Sequence, residues 1–297
     1  MIDNSIKQTT RKFFINLIAR LIKDDILMMA SSLSYYMIFA TIPLLMVLIN
    51  LSSFILSDYL NVIVEMLESV PPTSRDILDS LVDIIIDTSS SLGLSLGIFF
   101  AIWSASTGIN KLITSINIAY GLKTKRKIIK QRIVSIFYTF GFFAIILFML
   151  VFEIFNTQIL GILNRALTII DREITYEQVE NIWSLFNGLL PFFILLIAFT
   201  FFYKMAPRST KASRITLSEA MLGGSFSSLS IILISFIYSY FVNNISNMSL
   251  VYGTLAGFMA LFIWIFLVSH IIIIGAEVIA SYREVFKRKY FVTRLDK

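Results

Sequence analysis

Long runs of apolar residues, separated by shorter polar stretches, dominate the chain. A helix needs about 20 apolar residues to cross a hydrocarbon core of about 30 Å, and six segments meet that length. The predicted spans are 28–56, 91–110, 133–155, 185–206, 217–242 and 252–280. The pattern therefore predicts an all-α, polytopic membrane protein with six transmembrane helices. Small and polar residues interrupt the second span at 103–110, so five spans is the alternative count.

Segments outside the spans have amphipathic patterns. Residues 1–27 place apolar side chains among basic ones, which predicts a helix that lies in the cytoplasmic interface or packs on the helix bundle. Residues 57–90 predict amphipathic helices on the outer side. One face of these helices carries a row of acids, formed by Asp76, Asp79, Asp83 and Asp87. Acids on a helix face are ordinarily solvated, so no metal site is predicted. With a basic tail at 281–297, these elements are predicted to form one helical membrane domain over 1–297.

Charge is distributed unevenly among the connections, and this orients the predicted spans. Lysine and arginine are retained on the cytoplasmic side of membranes. The N-terminal tail, the 110–132 and 203–216 connections and the segment after residue 280 are basic, whereas the 57–90 and 156–184 connections are acidic. The alternation is complete for six spans with both termini in the cytoplasm. A five-span count would break it, which supports keeping the second span.

Composition supports the same class of protein and excludes several functions. The chain is 57% hydrophobic and 15% charged, with a mean hydropathy of +0.82, which leaves too little polar surface for a soluble globule. A basic rim beside anionic headgroups explains the net charge of +6, so membrane lipids rather than nucleic acid are the predicted partners. The chain has no cysteine, which excludes disulfides and thiolate metal sites. No phosphate-binding loop or serine-nucleophile motif occurs, and neither catalysis nor a cofactor is predicted.

Four stretches of the sequence are similar to those of one known family. They are LSYYMIFATIPLLMVL at 33–48, GINKLITSINIAYGLKTKRKIIKQRI at 108–133, YKMAPRSTKASR at 203–214 and SNMSLVYGTLAGFMALFIWIFLVSHIIIIGAEVIASYRE at 246–284. In that order, over nearly the whole chain, they resemble the YihY/BrkB family of bacterial inner-membrane proteins. The resemblance implies six membrane helices and a location in the bacterial plasma membrane.

Members of the resembled family have also been labelled ribonuclease BN. A zinc-dependent RNA hydrolase needs several histidines and acids gathered around metal on soluble loops. This chain has a single histidine, inside a predicted span, and no cysteine. The sequence therefore argues against a ribonuclease.

Two ionisable residues, His270 and Glu277, lie within the last predicted span. Seven residues are nearly two helical turns, so both side chains are predicted to point the same way, about 10 Å apart along the axis. Ionisable groups at such depth normally face protein or water, and the pair could form a proton path or a headgroup site. Alternatively, Glu277 anchors the helix end against Arg214 or Arg283, while neutral His270 hydrogen-bonds a neighbouring helix.

Other residues of the spans are candidates for contacts with a substrate or between helices. Tyr35 and Tyr36 fit either a binding site or an aromatic belt. Pro43 is expected to bend the first span, and Glu153 reaches the outer interface or joins a carrier site. Glycines at small-xxx-small spacing are predicted to let helices approach closely or to mediate a subunit contact. They are Gly93, Gly97, Gly253 and Gly257.

The leading functional hypothesis is that the protein binds or translocates a lipid, or another amphipathic substrate, of the bacterial envelope. Interfacial helices on both sides and proline-bent spans motivate it, together with the association of the resembled family with the envelope. A proton-coupled carrier of a small solute or cation, built on Glu277 with Glu153 or His270, is one alternative. A non-transporting envelope scaffold, assembled as a homo-oligomer through the glycine faces, is the other.

Overall fold

The computed structural model describes residues 2–56, 91–122, 128–170, 176–207, 214–244 and 256–287. All regular secondary structure in these ranges is α-helical. The helices, numbered along the chain, are α1 (Ile2–Lys23), α2 (Ile26–Leu56), α3 (Ser91–Ala119), α4 (Ile128–Ile154), α5 (Asn156–Ile170), α6 (Tyr176–Met205), α7 (Leu217–Asn244) and α8 (Ala256–Phe286).

Five helices in the described part are long and apolar enough to cross a membrane. Their spanning segments are Ser95–Ala119, Ile129–Met149, Tyr176–Met205, Leu217–Val242 and Ala256–Phe286, which overlap predicted spans two to six with ends shifted by up to nine residues. The prediction of an all-helical, multi-span protein is therefore confirmed. At the first predicted span, α2 contains a shorter apolar segment, Ile26–Thr41, so the sixth span stays a prediction. The predicted outer helices of 57–90 lie outside the described residues.

Helix α3 runs through the polar stretch that weakened the second predicted span. Within this stretch the hydroxyls of Ser106 and Thr107 donate to Trp103 O at 3.1 and 2.8 Å, so these two groups are satisfied inside the helix. Gly121, two residues after the end of the helix, has a φ of 64°. The amide of Gly121 donates to Ile118 O, and the next amide donates to Asn117 O, both at 2.8 Å. This pattern is a Schellman motif, and glycine adopts its left-handed turn without steric cost.

The described residues fall into two compact units. One unit consists of Met1–Leu33 with Ile109–Lys297, and the other is Ser34–Gly108. In the first unit α1 packs on α8, α8 packs on α7, and α7 packs on α6, while α5 lies against α4 and α6. The single membrane domain predicted for 1–297 stays a prediction.

Helices α6, α7 and α8 approach closely because glycines and serines line their contacts. The hydroxyl of Tyr203 on α6 bonds to Ser227 on α7 at 2.7 Å and donates to Ile272 O on α8 at 2.6 Å. A Cβ atom added to Gly275 would collide with the hydroxyls of Ser227 and Tyr203. A Cβ atom on Gly223 would stand 2.8 Å from Gly275 O. Small side chains at these positions therefore allow a fully buried hydrogen-bond network.

The glycines singled out in the sequence have other surroundings. Gly97 is buried in α3. Gly257 on α8 has nothing within 4 Å of an added Cβ atom in the described part of the chain. Gly93 belongs to α3, but its surroundings are outside what the structure describes, and Gly253 lies outside the described residues altogether. Their proposed role in a subunit contact stays a prediction.

We expect Gly275→Ala to destabilise the protein, because the added methyl group enters the space of two buried hydroxyls. Overpacking of this kind costs about 1–3 kcal/mol. Gly257→Ala on the same helix is the matched control and should be neutral or slightly stabilising, since alanine is the better helix former. Thermal unfolding of the purified variants in detergent measures both, and equal unfolding temperatures would contradict the packing.

Candidate functional site

Arg20 occupies the last turn of α1, and the residues Asp24 and Asp25 connect α1 to α2. The amide of Asp24 donates to Arg20 O at 2.9 Å, and Asp25 has a φ of 48°. Aspartate is among the few residues other than glycine that visit this left-handed conformation. The carbonyl of Asp25 accepts from the amide of Met29, which is the first hydrogen bond of the α2 helix. This two-residue connection fixes the end of α1 and with it the position of Arg20.

The guanidinium of Arg20 joins α1 to α8 and to the last residue of α3. Its Nε donates to Glu277 Oε2 at 2.8 Å, and its Nη1 donates to Glu284 Oε2 at 3.0 Å, both on α8. Its Nη2 donates to Ala119 O at the end of α3 and lies 3.9 Å from Asp24 Oδ2. Arg20 is 6% exposed and Glu277 is completely buried. We call Arg20, Asp24, Glu277 and Glu284 the Arg20 cluster.

The carbonyl of Ala119 is available to Arg20 because of the way α3 ends. The Schellman motif uses the carbonyls of Asn117 and Ile118, which leaves that of Ala119 without an intrahelical donor. The C-terminus of a helix carries partial negative charge, so a guanidinium there is favourable. Arg20 thus completes the hydrogen bonding of α3 as well as binding α8.

A second ionic group lies at the start of α7. Glu219 Oε2 accepts from the amide of Thr216 at 2.8 Å, while the Thr216 hydroxyl accepts from the Glu219 amide at 3.4 Å. This is the reciprocal capping box of a threonine followed three residues later by a glutamate. Glu219 Oε1 also binds Lys287 Nζ at 2.8 Å and Arg283 Nε at 3.5 Å. These residues, Thr216, Glu219, Arg283 and Lys287, which we call the Glu219 group, tie the start of α7 to the end of α8.

The predicted site residues are not gathered in one place. Glu277 lies in the Arg20 cluster, and its partner is Arg20 rather than Arg214 or Arg283. Arg283 instead pairs with Glu219 and donates to Arg214 O at 3.4 Å. Glu277 thus pairs with a basic residue, as the anchoring interpretation expected, but that residue is Arg20 of α1.

His270 has a different environment from that of Glu277. It is only half-buried, and its Nδ1 lies 2.8 Å from Phe266 O of its own helix, with the two rings 4.3 Å apart. The Nδ1 of His270 therefore bonds within α8, and among the described residues it does not bond to a neighbouring helix as the alternative interpretation expected. Helical spacing predicted that the side chains of His270 and Glu277 point the same way. They nevertheless differ in burial, since Glu277 is buried where α1 packs on α8 and His270 is only half-buried.

The remaining candidates lie in α2 and α4. Tyr35 is 61% exposed and stacks on Phe39 at 6.1 Å, while Tyr36 meets Tyr35 edge to face at 5.3 Å. Pro43 is half-buried, and α2 continues through it to Leu56. Glu153 belongs to α4, but its side chain is outside what the structure describes. Tyr35, Tyr36 and Pro43 belong to the Ser34–Gly108 unit, whereas Glu277 belongs to the other unit.

The residues that form the two clusters have only weak signals in the sequence. Thr216 and Glu219 carry a capping-box spacing directly before an apolar run, which is readable from sequence. Arg20 stands 257 residues from Glu277, and no local pattern pairs residues at that separation. Among the described residues, no group of three or more histidines, cysteines or acids is placed to hold a metal ion.

An all-helical chain with several apolar spans and buried ion pairs at helix ends is a multi-pass membrane protein. Comparison with known proteins identifies its family. The family described as Virulence factor BrkB matches residues 17–291, and the chain belongs to that family. The matched range includes every residue of the Arg20 cluster and of the Glu219 group.

Individual relatives agree with this assignment. The "Putative ribonuclease-like protein YfkH" of Bacillus subtilis is 26% identical over 249 residues, covering 84% of this chain and 87% of the relative. A UPF0761 membrane protein of Aliivibrio salmonicida is 26% identical over 276 residues, covering 92% and 83%. Another, of Vibrio vulnificus, is 23% identical over 273 residues, covering 90% and 81%. No solved structure matches the chain.

Replacing Arg20 by methionine should strongly destabilise the first unit. The change leaves Glu277 buried without its cation, and breaking a buried pair from one side costs about 3–5 kcal/mol. Lys23→Met is the matched control, because Lys23 is an exposed cation in the same last turn of α1. It should change stability by less than about 0.5 kcal/mol. Denaturant or thermal unfolding in detergent compares the two, and equal effects would contradict a structural role for the cluster.

Proposed function

We propose that the protein binds or translocates a lipid, or another amphipathic molecule of the bacterial envelope. The observation that supports this most is the combination of two chemistries along α1. Phe14, Ile18 and Ile22 follow one another at four-residue spacing, and their side chains are 55%, 55% and 77% exposed. The same helix ends in the buried Arg20 cluster. The exposed apolar stripe suits contact with acyl chains, while Arg20, on the opposite face of α1, attaches the helix to α8.

The attachment of α1 to α8 gives this proposal a mechanism. An amphipathic helix that only rests in the interface senses lipid without transmitting anything to the spans. Here Arg20 links α1 to the last spanning helix through Glu277 and Glu284. A ligand that moves α1 would therefore change the packing of α8 against α7.

The proposal includes a topology of six membrane spans with both termini in the cytoplasm. The alternation of basic and acidic connections supports it, since α1, the 203–216 connection and the segment after residue 280 are all basic. On this topology the Arg20 cluster and the Glu219 group both lie at the cytoplasmic side. Because the chain has no cysteine, single introduced cysteines labelled from one side of the membrane test the orientation directly.

The protein is proposed to act without catalysis. The word ribonuclease belongs to the name of the Bacillus subtilis relative. This chain has one histidine, and that histidine bonds within α8. Membrane lipids are the proposed partners, and a homo-oligomer remains compatible with the exposed apolar faces of the spans.

We expect a distinct lipid or lipid-linked species to remain bound when the protein is extracted with its surrounding lipid. Native mass spectrometry should show this species in the wild type and its loss in Ile18→Ser/Ile22→Ser, because that change removes the apolar stripe of α1. The control is Phe137→Ser, which alters an apolar side chain of α4 that is 73% exposed. It should leave the bound species unchanged.

Two results would contradict the proposal. One is recovery of only bulk lipid with the wild type, in the proportions of the membrane. The other is unaltered lipid distribution in vesicles that contain the reconstituted protein, together with normal binding by the α1 variant. Either result would favour the alternatives, a proton-coupled carrier or an envelope scaffold.

A further inference from the structure

The face of α1 that meets α8 carries polar as well as apolar side chains. Phe13, Asn16 and Arg20 follow one another at spacings of three and four residues, so they lie on one face of α1. The ring of Phe13 lies 6.1 Å from that of Phe286, at the end of α8. Arg20 bonds to Glu277, which comes earlier in α8. The two helices are therefore antiparallel, and Asn16 faces α8 between these two contacts.

The facing side of α8 is also polar. Glu277, Ser281 and Glu284 have spacings of four and three residues, so they share one face of the helix. Both glutamates bond to Arg20, which places Ser281, between them, on the side of α8 that meets α1. Glu277 and Ser281 are completely buried. A buried polar strip thus runs along the contact between the two helices.

Three buried polar atoms in this contact have no hydrogen-bond partner among the described residues. They are Asn16 Oδ1, Glu277 Oε1 and Ser281 Oγ. The other carboxylate oxygen of Glu277 binds Arg20, whose remaining guanidinium nitrogens are directed elsewhere. Buried polar atoms are nearly always hydrogen-bonded, because an unpaired one has lost its bonds to water without replacement. We call the contact formed by Asn16, Glu277 and Ser281 the α1–α8 seam.

Ser281 differs from other buried serines of the helices. The hydroxyls of Ser135 and Ser228 donate to carbonyls one turn earlier, to Gln131 O at 2.9 Å and to Gly224 O at 2.7 Å. The hydroxyl of Ser281 does not make this bond to its own helix. Its proton is therefore available to a partner in the seam.

The chemistry of the three atoms determines which partner fits the seam. The amide oxygen of Asn16 and the carboxylate oxygen of Glu277 can only accept hydrogen bonds, while the hydroxyl of Ser281 can donate or accept. The partner must therefore donate, and it must be small enough for a completely buried contact. The cations at the end of α8 are bound to Glu219 instead. Water has two donors and accepts as well, and it commonly bonds to buried polar groups.

We propose that the α1–α8 seam is a binding site for ordered water. One water molecule donates to Glu277 Oε1 and accepts from the hydroxyl of Ser281, one turn away on the same face of α8. Asn16 Oδ1 accepts the second hydrogen of this molecule or a hydrogen of a neighbouring one. The attachment of α1 to α8 thus depends on bound water as well as on the ion pair. This inference stands independently of the proposed lipid ligand.

Replacing Ser281 by alanine tests the proposal through the sign of the change in thermal stability. If the hydroxyl bonds to a bound water, Ser281→Ala removes a hydrogen-bond partner and should lower the unfolding temperature by about 2–4 °C. If the seam is dry, the same change removes an unsatisfied polar atom and should raise that temperature. Ser228→Ala is the matched control, because it removes a buried helix hydroxyl that is already hydrogen-bonded. The proposal expects Ser281→Ala to lower the unfolding temperature at least as much as the control does, and an unchanged or raised temperature overturns it.

An electron cryomicroscopy map of the protein in lipid nanodiscs, at a resolution that shows ordered water, tests the site directly. We expect a density peak at hydrogen-bond distance, about 2.7–3.2 Å, from both Glu277 Oε1 and Ser281 Oγ. Ordered side chains without such a peak, or a protein atom that donates to Glu277 Oε1, would overturn the proposal. So would a peak with the shorter contacts of a metal ion. Loss of the bound lipid species with the water in place would count against the proposed function alone.

Discussion

The ion pair between Arg20 and Glu277 is the contact on which the arrangement of the first unit most depends. A glutamate with no exposed surface near the end of an apolar helix is tolerable only when a cation reaches it. The cation comes from α1, which must therefore pack on α8. The same guanidinium binds the open carbonyl at the end of α3. One side chain thus fixes three helices that are far apart in sequence.

Close packing around α7 complements this ionic link. Gly223 and Gly275 bring the backbones of α7 and α8 together, and the Tyr203 hydroxyl connects both helices to α6. In a membrane the hydrophobic effect does little to hold helices together, so close van der Waals contact and interhelical hydrogen bonds must do it. The Glu219 group adds a second ionic link, between the start of α7 and the end of α8. The result is a closely packed α6–α7–α8 core, and an ion pair attaches α1 to its α8 helix.

Most of the fold was predictable, because a bilayer imposes length and apolarity on each span. Spans two to six follow from those requirements, and charge alternation rightly retained α3 despite its polar stretch. The partner of Glu277 was not predictable from the same reasoning. Arg214 and Arg283 are near Glu277 on any six-span topology, whereas Arg20 reaches it only through the packing of a helix outside the spans. The glycine contacts were missed for a similar reason, since Gly223 and Ser227 make a weaker pattern than paired glycines.

A double-mutant cycle between Arg20→Met and Glu277→Gln tests the central claim most directly, with free energies of unfolding measured in one detergent. If the two side chains stabilise each other, the double variant should be less destabilised than the sum of the single variants. The coupling energy should be about 1–3 kcal/mol, as expected for residues in direct contact. Additive effects would contradict the account, because Arg20 and Glu277 would then act independently and α1 would be held by other contacts.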